Sequence, residues 1–78
     1  VTELIIPTQK NPYKSLGLKI KLARTAKNLT QLQVSKELNC SDRQISNYES
    51  GQCEIAAVTL FKLARVLNQD VGFFDPYA

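Results

Sequence analysis

The stretch at residues 30–51, TQLQVSKELNCSDRQISNYESG, constrains the fold of this chain more than any other. Thr30 is a good helix N-cap, and the residues after it run to Leu38 without Gly or Pro. Val34 and Leu38, four apart, share one face of that helix. Asn39 follows, a residue that enters the left-handed region at little cost, so the helix can stop there. Ser41 is a second N-cap, and DRQISNYES predicts another helix closed by Gly51. Ile45 and Tyr48, three apart, are its inward residues. Two short helices joined by about three residues around a left-handed position make a helix-turn-helix. Ser35 is small where the helices must cross, and Cys40 is expected to plug the inside of the turn as a compact apolar residue.

The outward residues of the second helix are Asp42, Arg43, Gln44, Ser46 and Asn47, a hydrogen-bonding face beside an apolar back. Such a helix can read base edges from a major groove. An amphipathic hairpin with a solvated polar side has the same pattern, and the residues alone leave both open.

The stretch resembles the phage repressor/Cro-type helix-turn-helix, or xenobiotic-response-element (XRE), family of transcriptional regulators. The matching residues are Gln31, Ser35, Asn39, Ser41, Ile45, Ser46, Tyr48, Glu49 and Gly51. The likeness extends upstream through Ile20 and Arg24 and downstream through Leu60 to Leu67, covering residues 15–75. Ser35 stands where the family usually has Ala, Asn39 where it has Gly, and Ala23 where it has a larger apolar residue.

The resemblance implies an all-α fold, a compact bundle of four to five short helices around a central helix-turn-helix. It also implies an ion pair between Arg24 and Glu49, and it puts Asp42, Arg43, Gln44 and Asn47 at base-reading positions with Ser46 beside them. Gln31, at a helix N-terminus where amides and dipole favour an anion, is expected on a phosphate. Ser50 and Gln52, at the end of the reading helix, are expected there too. The expected partner is double-stranded DNA, bound by a homodimer on a two-fold operator with helix 42–50 in the major groove. A phage-type repressor, an antitoxin's DNA-binding part and a restriction-modification controller all fit. The alternative is a protein-interaction module of the same fold, docking through Leu18, Leu22, Leu32 and Phe73 without DNA.

Seventy-eight residues, 44% of them hydrophobic, make one small globular domain. No apolar run approaches ~20 residues and no secretory pattern is evident, so a cytoplasmic protein without a membrane span is expected. The chain begins at Val1 and has no Met, which leaves a removed initiator and a fragment equally open. Net charge is only +3, but Lys14, Lys19, Lys21, Arg24 and Lys27 fall in one segment without an acid among them. That cluster suits a phosphate-facing flank or a solvated helix face. Cys40 and Cys53 lack metal spacing, His is absent, and free thiols are expected rather than a disulfide. Without His, an activated Cys or a Gly-rich phosphate cradle, no enzyme, metal, cofactor or small-molecule ligand is expected.

The remaining segments divide simply. Residues 1–14, with Pro7 and Pro12, predict an extended arm that includes a β-prone run at residues 2–6. Residues 15–78 are the helix-turn-helix domain. Its first helix is expected to start at Ser15 and run to about Lys27, with Leu16, Ile20 and Ala23 as the buried stripe. Leu18 and Leu22 lie roughly 200–240° around from Leu16, and Leu32 is also outward. The arm or a second subunit is expected to cover part of that surface. A fourth helix from Val58 or Thr59 to about Asn68 is expected to bury Leu60, Leu63, Ala64 and Leu67. Asp70 is expected to cap a last turn, VGFF, in which one Phe enters the core and the other meets a partner, or both close the core.

Overall fold

The computed structural model describes residues 11–77. Residues 1–10 of the arm expected over residues 1–14, with its β-prone run, lie outside that range. Within it the chain is all-helical: α1 Pro12–Ala26, α2 Gln31–Leu38, α3 Asp42–Ser50, α4 Ala57–Val66, and a closing 3-10 turn Val71–Phe74.

Helix α1 begins three residues before the expected Ser15. Asn11 is its N-cap, with Oδ1 accepting from the N–H of Tyr13 at 3.0 Å and of Lys14 at 3.2 Å. Pro12 occupies the first helical position, where a missing N–H costs nothing and the fixed φ is already helical. The proline that suggests an extended arm is therefore a helix-starting residue here.

The motif itself forms as its residues dictate. Thr30 Oγ1 accepts from the Gln33 N–H at 3.0 Å while Gln33 Oε1 accepts from the Thr30 N–H at 2.7 Å, a reciprocal capping box. Asn39 sits at φ 57°, ψ 47°, the left-handed conformation that ends α2. The Cys40 N–H then closes on the Ser35 carbonyl at 2.9 Å. Ser41 Oγ accepts from the Gln44 N–H at 3.1 Å and starts α3, which Gly51 ends at φ 76°. Ser35 is buried as expected, its hydroxyl donating to the Leu32 carbonyl at 2.7 Å. Cys40 differs from expectation: its side chain is exposed. The turn commits its backbone inward and its thiol outward, and Val34, Leu38 and Ile45 are the buried residues on either side.

Residues from every element build the core: Leu16, Ile20 and Ala23 from α1, Val34 and Leu38 from α2, Ile45 and Tyr48 from α3, Leu63 and Ala64 from α4, then Leu67 and Phe74. Leu60, expected among them, is only half-buried, because it lines an open groove with Tyr13, Ile55 and Tyr77. Helix α4 starts at Ala57, before the expected Val58 or Thr59, and ends at Val66 with Leu67 as its C-cap, short of the expected Asn68. Phe74 is fully buried, whereas Phe73 is 40% exposed and meets it edge-on with ring centroids 5.2 Å apart. Asp70 precedes the last turn, but its side chain makes no capping bond, and its carbonyl instead accepts from the Phe73 N–H at 2.9 Å.

What positions α3 is a close crossing with α1. A Cβ at Gly17 would lie 2.2 Å from the Tyr48 carbonyl oxygen and 2.6 Å from that of Glu49. Gly51 is similarly tight, with a Cβ there 2.5 Å from Lys14 Cα. Only hydrogen at these two positions lets the backbones of α1 and α3 come so near. In an open helix interior, Gly→Ala stabilises by about 1 kcal/mol. At Gly17 the methyl meets backbone that cannot swing aside, and overpacking of this kind costs about 1–3 kcal/mol. Gly17→Ala should therefore lower the melting temperature, by roughly 4–8 °C for each kcal/mol lost. A thermal melt with an unchanged or raised midpoint would contradict the crossing.

Candidate nucleic-acid interface

Helix α3 has two unlike sides because its apolar residues recur at helical spacing. Ile45 and Tyr48 are buried, and the opposite arc carries Arg43, Ser46, Asn47 and Ser50. Asp42, Arg43 and Ser46 are exposed, and Gln44 and Asn47 are half-buried. The side chains of Asp42, Arg43, Gln44, Ser46 and Asn47 have no hydrogen-bond or ion-pair partner among the described residues. In particular, Asp42 does not hold Arg43. Their donors and acceptors point at water, the condition a base-reading helix needs before it meets a ligand.

The three residues expected on phosphates lie at the margin of that face. Ser50 is exposed, with its hydroxyl donating to the Asn47 carbonyl at 3.2 Å. Gln52 is exposed just past Gly51, with its N–H on the same carbonyl at 3.0 Å. Gln31 is half-buried, and its Nε2 donates to Glu49 Oε1 at 3.0 Å. Gln31 is the first residue of α2, so its backbone N–H belongs to the helix's unsatisfied first turn.

Behind the face lies the expected ion pair. Arg24 Nε meets Glu49 Oε2 at 2.5 Å and Nη2 meets Oε1 at 3.1 Å, a forked contact between planar groups. Arg24 Nη1 also donates to the Leu29 carbonyl at 2.7 Å. The side chains are 11% and 5% exposed, so both charges are largely removed from water. With Gln31 added, one carboxylate ties α3 to α1, to the loop after α1, and to the first turn of α2.

Other groups are less organised. Cys40 and Cys53 are both free, and desolvation pushes the Cys40 thiol above its ordinary pKa. A raised pKa leaves less thiolate at neutral pH, the reverse of an activated nucleophile. Among the described residues no cluster of His, Cys, Asp or Glu could hold a metal ion, and no helix is long and apolar enough to cross a membrane. Leu18, Leu22 and Leu32 are 55%, 54% and 51% exposed, as their positions on the helices predict. Gly17 is the residue that sequence reasoning passes over. A helix-interior glycine one turn before Lys21 and two before Arg24 was the available signal.

A helix-turn-helix with an uncommitted polar second helix defines a class of protein, and comparison with known sequences narrows it. Residues 20–74 match the helix-turn-helix family model. The chain belongs to that family, in its phage repressor/Cro (XRE) branch. It is 32% identical over 59 residues to an uncharacterised HTH-type transcriptional regulator of Sinorhizobium medicae and, to the same extent, to one of Rhizobium meliloti. The match takes in 76% of this chain but only 42% of each relative, so the chain spans less than half their length. Among solved structures it resembles the restriction-modification controller protein C.AhdI of Aeromonas hydrophila, with TM-score 0.75, 24% identity, and 80% and 94% of the two chains covered. It also resembles the clp gene regulator ClgR of Corynebacterium glutamicum, with TM-score 0.77, 21% identity, and 81% and 82% covered. These likenesses establish the fold.

Burial of the forked pair makes its loss costly. Arg24→Ala strands the Glu49 charge and Glu49→Ala strands Arg24, and either should cost about 3 kcal/mol in urea denaturation. If the two single variants unfold at the wild-type midpoint, the pair does not hold the helices.

Proposed function

We propose that this chain is the DNA-binding unit of a transcriptional regulator, reading a two-fold operator as a homodimer. The observation that carries the reading is the face of α3: the side chains of Asp42, Arg43, Gln44, Ser46 and Asn47 have no partner among the described residues, while Ile45 and Tyr48 fasten the helix to the core. Membership of a family of transcriptional regulators supports the same conclusion.

In this reading α3 enters the major groove. Arg43 donates a fork of N–H groups to the O6 and N7 acceptors of a guanine, and Asn47 or Gln44 pairs with the N6–H and N7 of an adenine. Asp42 weakens attraction to phosphates, and its use is to accept from a cytosine amine. Helix α2 lies across the backbone. The Gln31 side chain and the free N–H groups of that first turn hold a phosphate, where the helix dipole favours an anion. Ser50 and Gln52, at the C-terminal end of α3 where Gln31 also lies, contact phosphates on that flank. Ser50 rotates its hydroxyl away from Asn47 to do so. A fold in which one helix reads and its neighbours grip the backbone separates affinity from specificity, since phosphates carry no sequence.

Selecting bound duplexes from a random pool tests the reading. Recovered sites should be two-fold symmetric, with half-sites about 10 base pairs apart centre to centre. Arg43→Ala should cost roughly 1–3 kcal/mol on the selected site and relax preference at one base pair. Gln31→Ala should weaken all duplexes alike. Enrichment of no sequence, or an Arg43→Ala variant with unaltered preference, would contradict the assignment.

A further inference from the structure

At the start of α1 lies a groove of about 280 Å³, walled by Tyr13 and Leu16 of α1, by Ile55 and Leu60, and by Tyr77 beyond the last turn. Tyr13, Ile55 and Leu60 pack against the core and are still only half-buried, and Tyr77 is 47% exposed. The described residues that line the groove include no charged side chain. At ~30 Å³ per water-sized atom the space takes about nine atoms, close to the eight carbons of two four-carbon aliphatic side chains.

We infer that this groove is the seat of the chain's own N-terminal arm, with Leu4 and Ile6 inside it and Ile5 facing out. In an extended segment, side chains two apart share a face at a spacing of about 6.6 Å, and the one between them points the other way. Pro7 disfavours the helical region for Ile6, which carries that alternation to the end of the apolar run. The point of attachment sets the reach. Asn11 is held at both atoms of its amide, Oδ1 capping α1 and Nδ2 donating to the Gly51 carbonyl at 3.4 Å. Pro12, the next residue, already lines the groove. Ile6 lies five positions before Asn11, a span of at most about 18 Å when extended. The α1 wall from Pro12 to Leu16 is only about 6 Å long. Residues 7–10 therefore have slack to turn back over the groove, and Thr8, Gln9 and Lys10 suit a solvated connection.

Leu18 and Leu22 are the other apolar surface of α1, but they stand on its outer side and offer an occupant one wall. The groove offers three, from α1, from residues 55–60 and from the chain beyond the last turn, so an inserted side chain loses more of its area to water. A second copy of the arm could present the same residues, yet a short tether sets an effective concentration on the order of millimolar, above that of a free partner at micromolar levels. The seated arm closes the core at the end where these three parts meet. This goes beyond the DNA-binding reading and does not depend on it.

Nuclear Overhauser effects between methyl and ring protons of the whole chain read the contact directly. The methyls of Leu4 and Ile6 should show them to the rings of Tyr13 and Tyr77, and those of Ile5 should not. In a mixture of methyl-labelled chains with ring-labelled chains, where only contacts between molecules register, the same effects should be missing. Leu4→Ala and Ile6→Ala should each lower the melting midpoint by roughly 4–8 °C, the effect of losing a partly buried aliphatic side chain from a domain of this size. Ile5→Ala should melt with wild type. Effects that appear in the mixed sample give the groove to a second copy's arm and overturn the proposal. So do effects that run from Leu4 and Ile6 to Leu18 and Leu22 instead, and so does the lack of any methyl-to-ring effect with all three variants melting alike.

Discussion

Glu49 is a carboxylate almost without access to water, and three parts of the chain meet at it. Arg24 reaches it from α1 and Gln31 from α2, while Arg24 also holds the carbonyl that closes the loop after α1. Burying two opposite charges adds little net stability, because desolvation offsets their attraction. Geometry is what the pair supplies. A forked contact tolerates only one mutual orientation of its planes. The end of α3 is therefore set relative to α1 and α2 by direction as well as by apolar packing.

That arrangement needs backbones closer than ordinary side chains permit. Gly17 at the centre of the α1–α3 crossing and Gly51 against Lys14 remove the methyl groups that would hold the helices apart. The apolar residues Ile45 and Tyr48 then fill the space under α3, and its far side is left to solvent. A nine-residue helix would be marginal alone in water. Fastened at its back by core residues and at its end by Glu49 and Gly51, it is a preorganised rod that loses little freedom on meeting a ligand.

Most of this was legible in the residues. Thr30, Asn39, Ser41 and Gly51 are strong boundary signals because each satisfies a specific backbone need, and all four act as caps where expected. The outward positions of Leu18, Leu22 and Leu32 followed from helical angles alone. Failures came where one residue type serves two structural roles. Pro12 breaks a helix in its interior and starts one at its first turn, so α1 began earlier than its apolar stripe suggested. Cys40 is small and apolar, which permits burial without requiring it. Gly17 stands out as a glycine inside a helix, but what it accommodates is a neighbour 31 or more positions away, which no local pattern encodes.

The site residues show the same limit. Periodicity identified which side chains of α3 face outward, but it could not show that Glu49 engages Gln31 or that Lys21 shares a pocket with Ser46. Both facts arise from the packing of three helices. The central claim is that the polar side of α3, held by this packing, is the surface that meets DNA. Titrating an isotope-labelled chain with a duplex and following backbone amide shifts tests it most directly. Shifts should concentrate at residues 42–47 and at Gln31 and Leu32, with the outward side of α4 silent. Shifts confined to Leu18, Leu22 and Phe73, with α3 unmoved, would contradict the account.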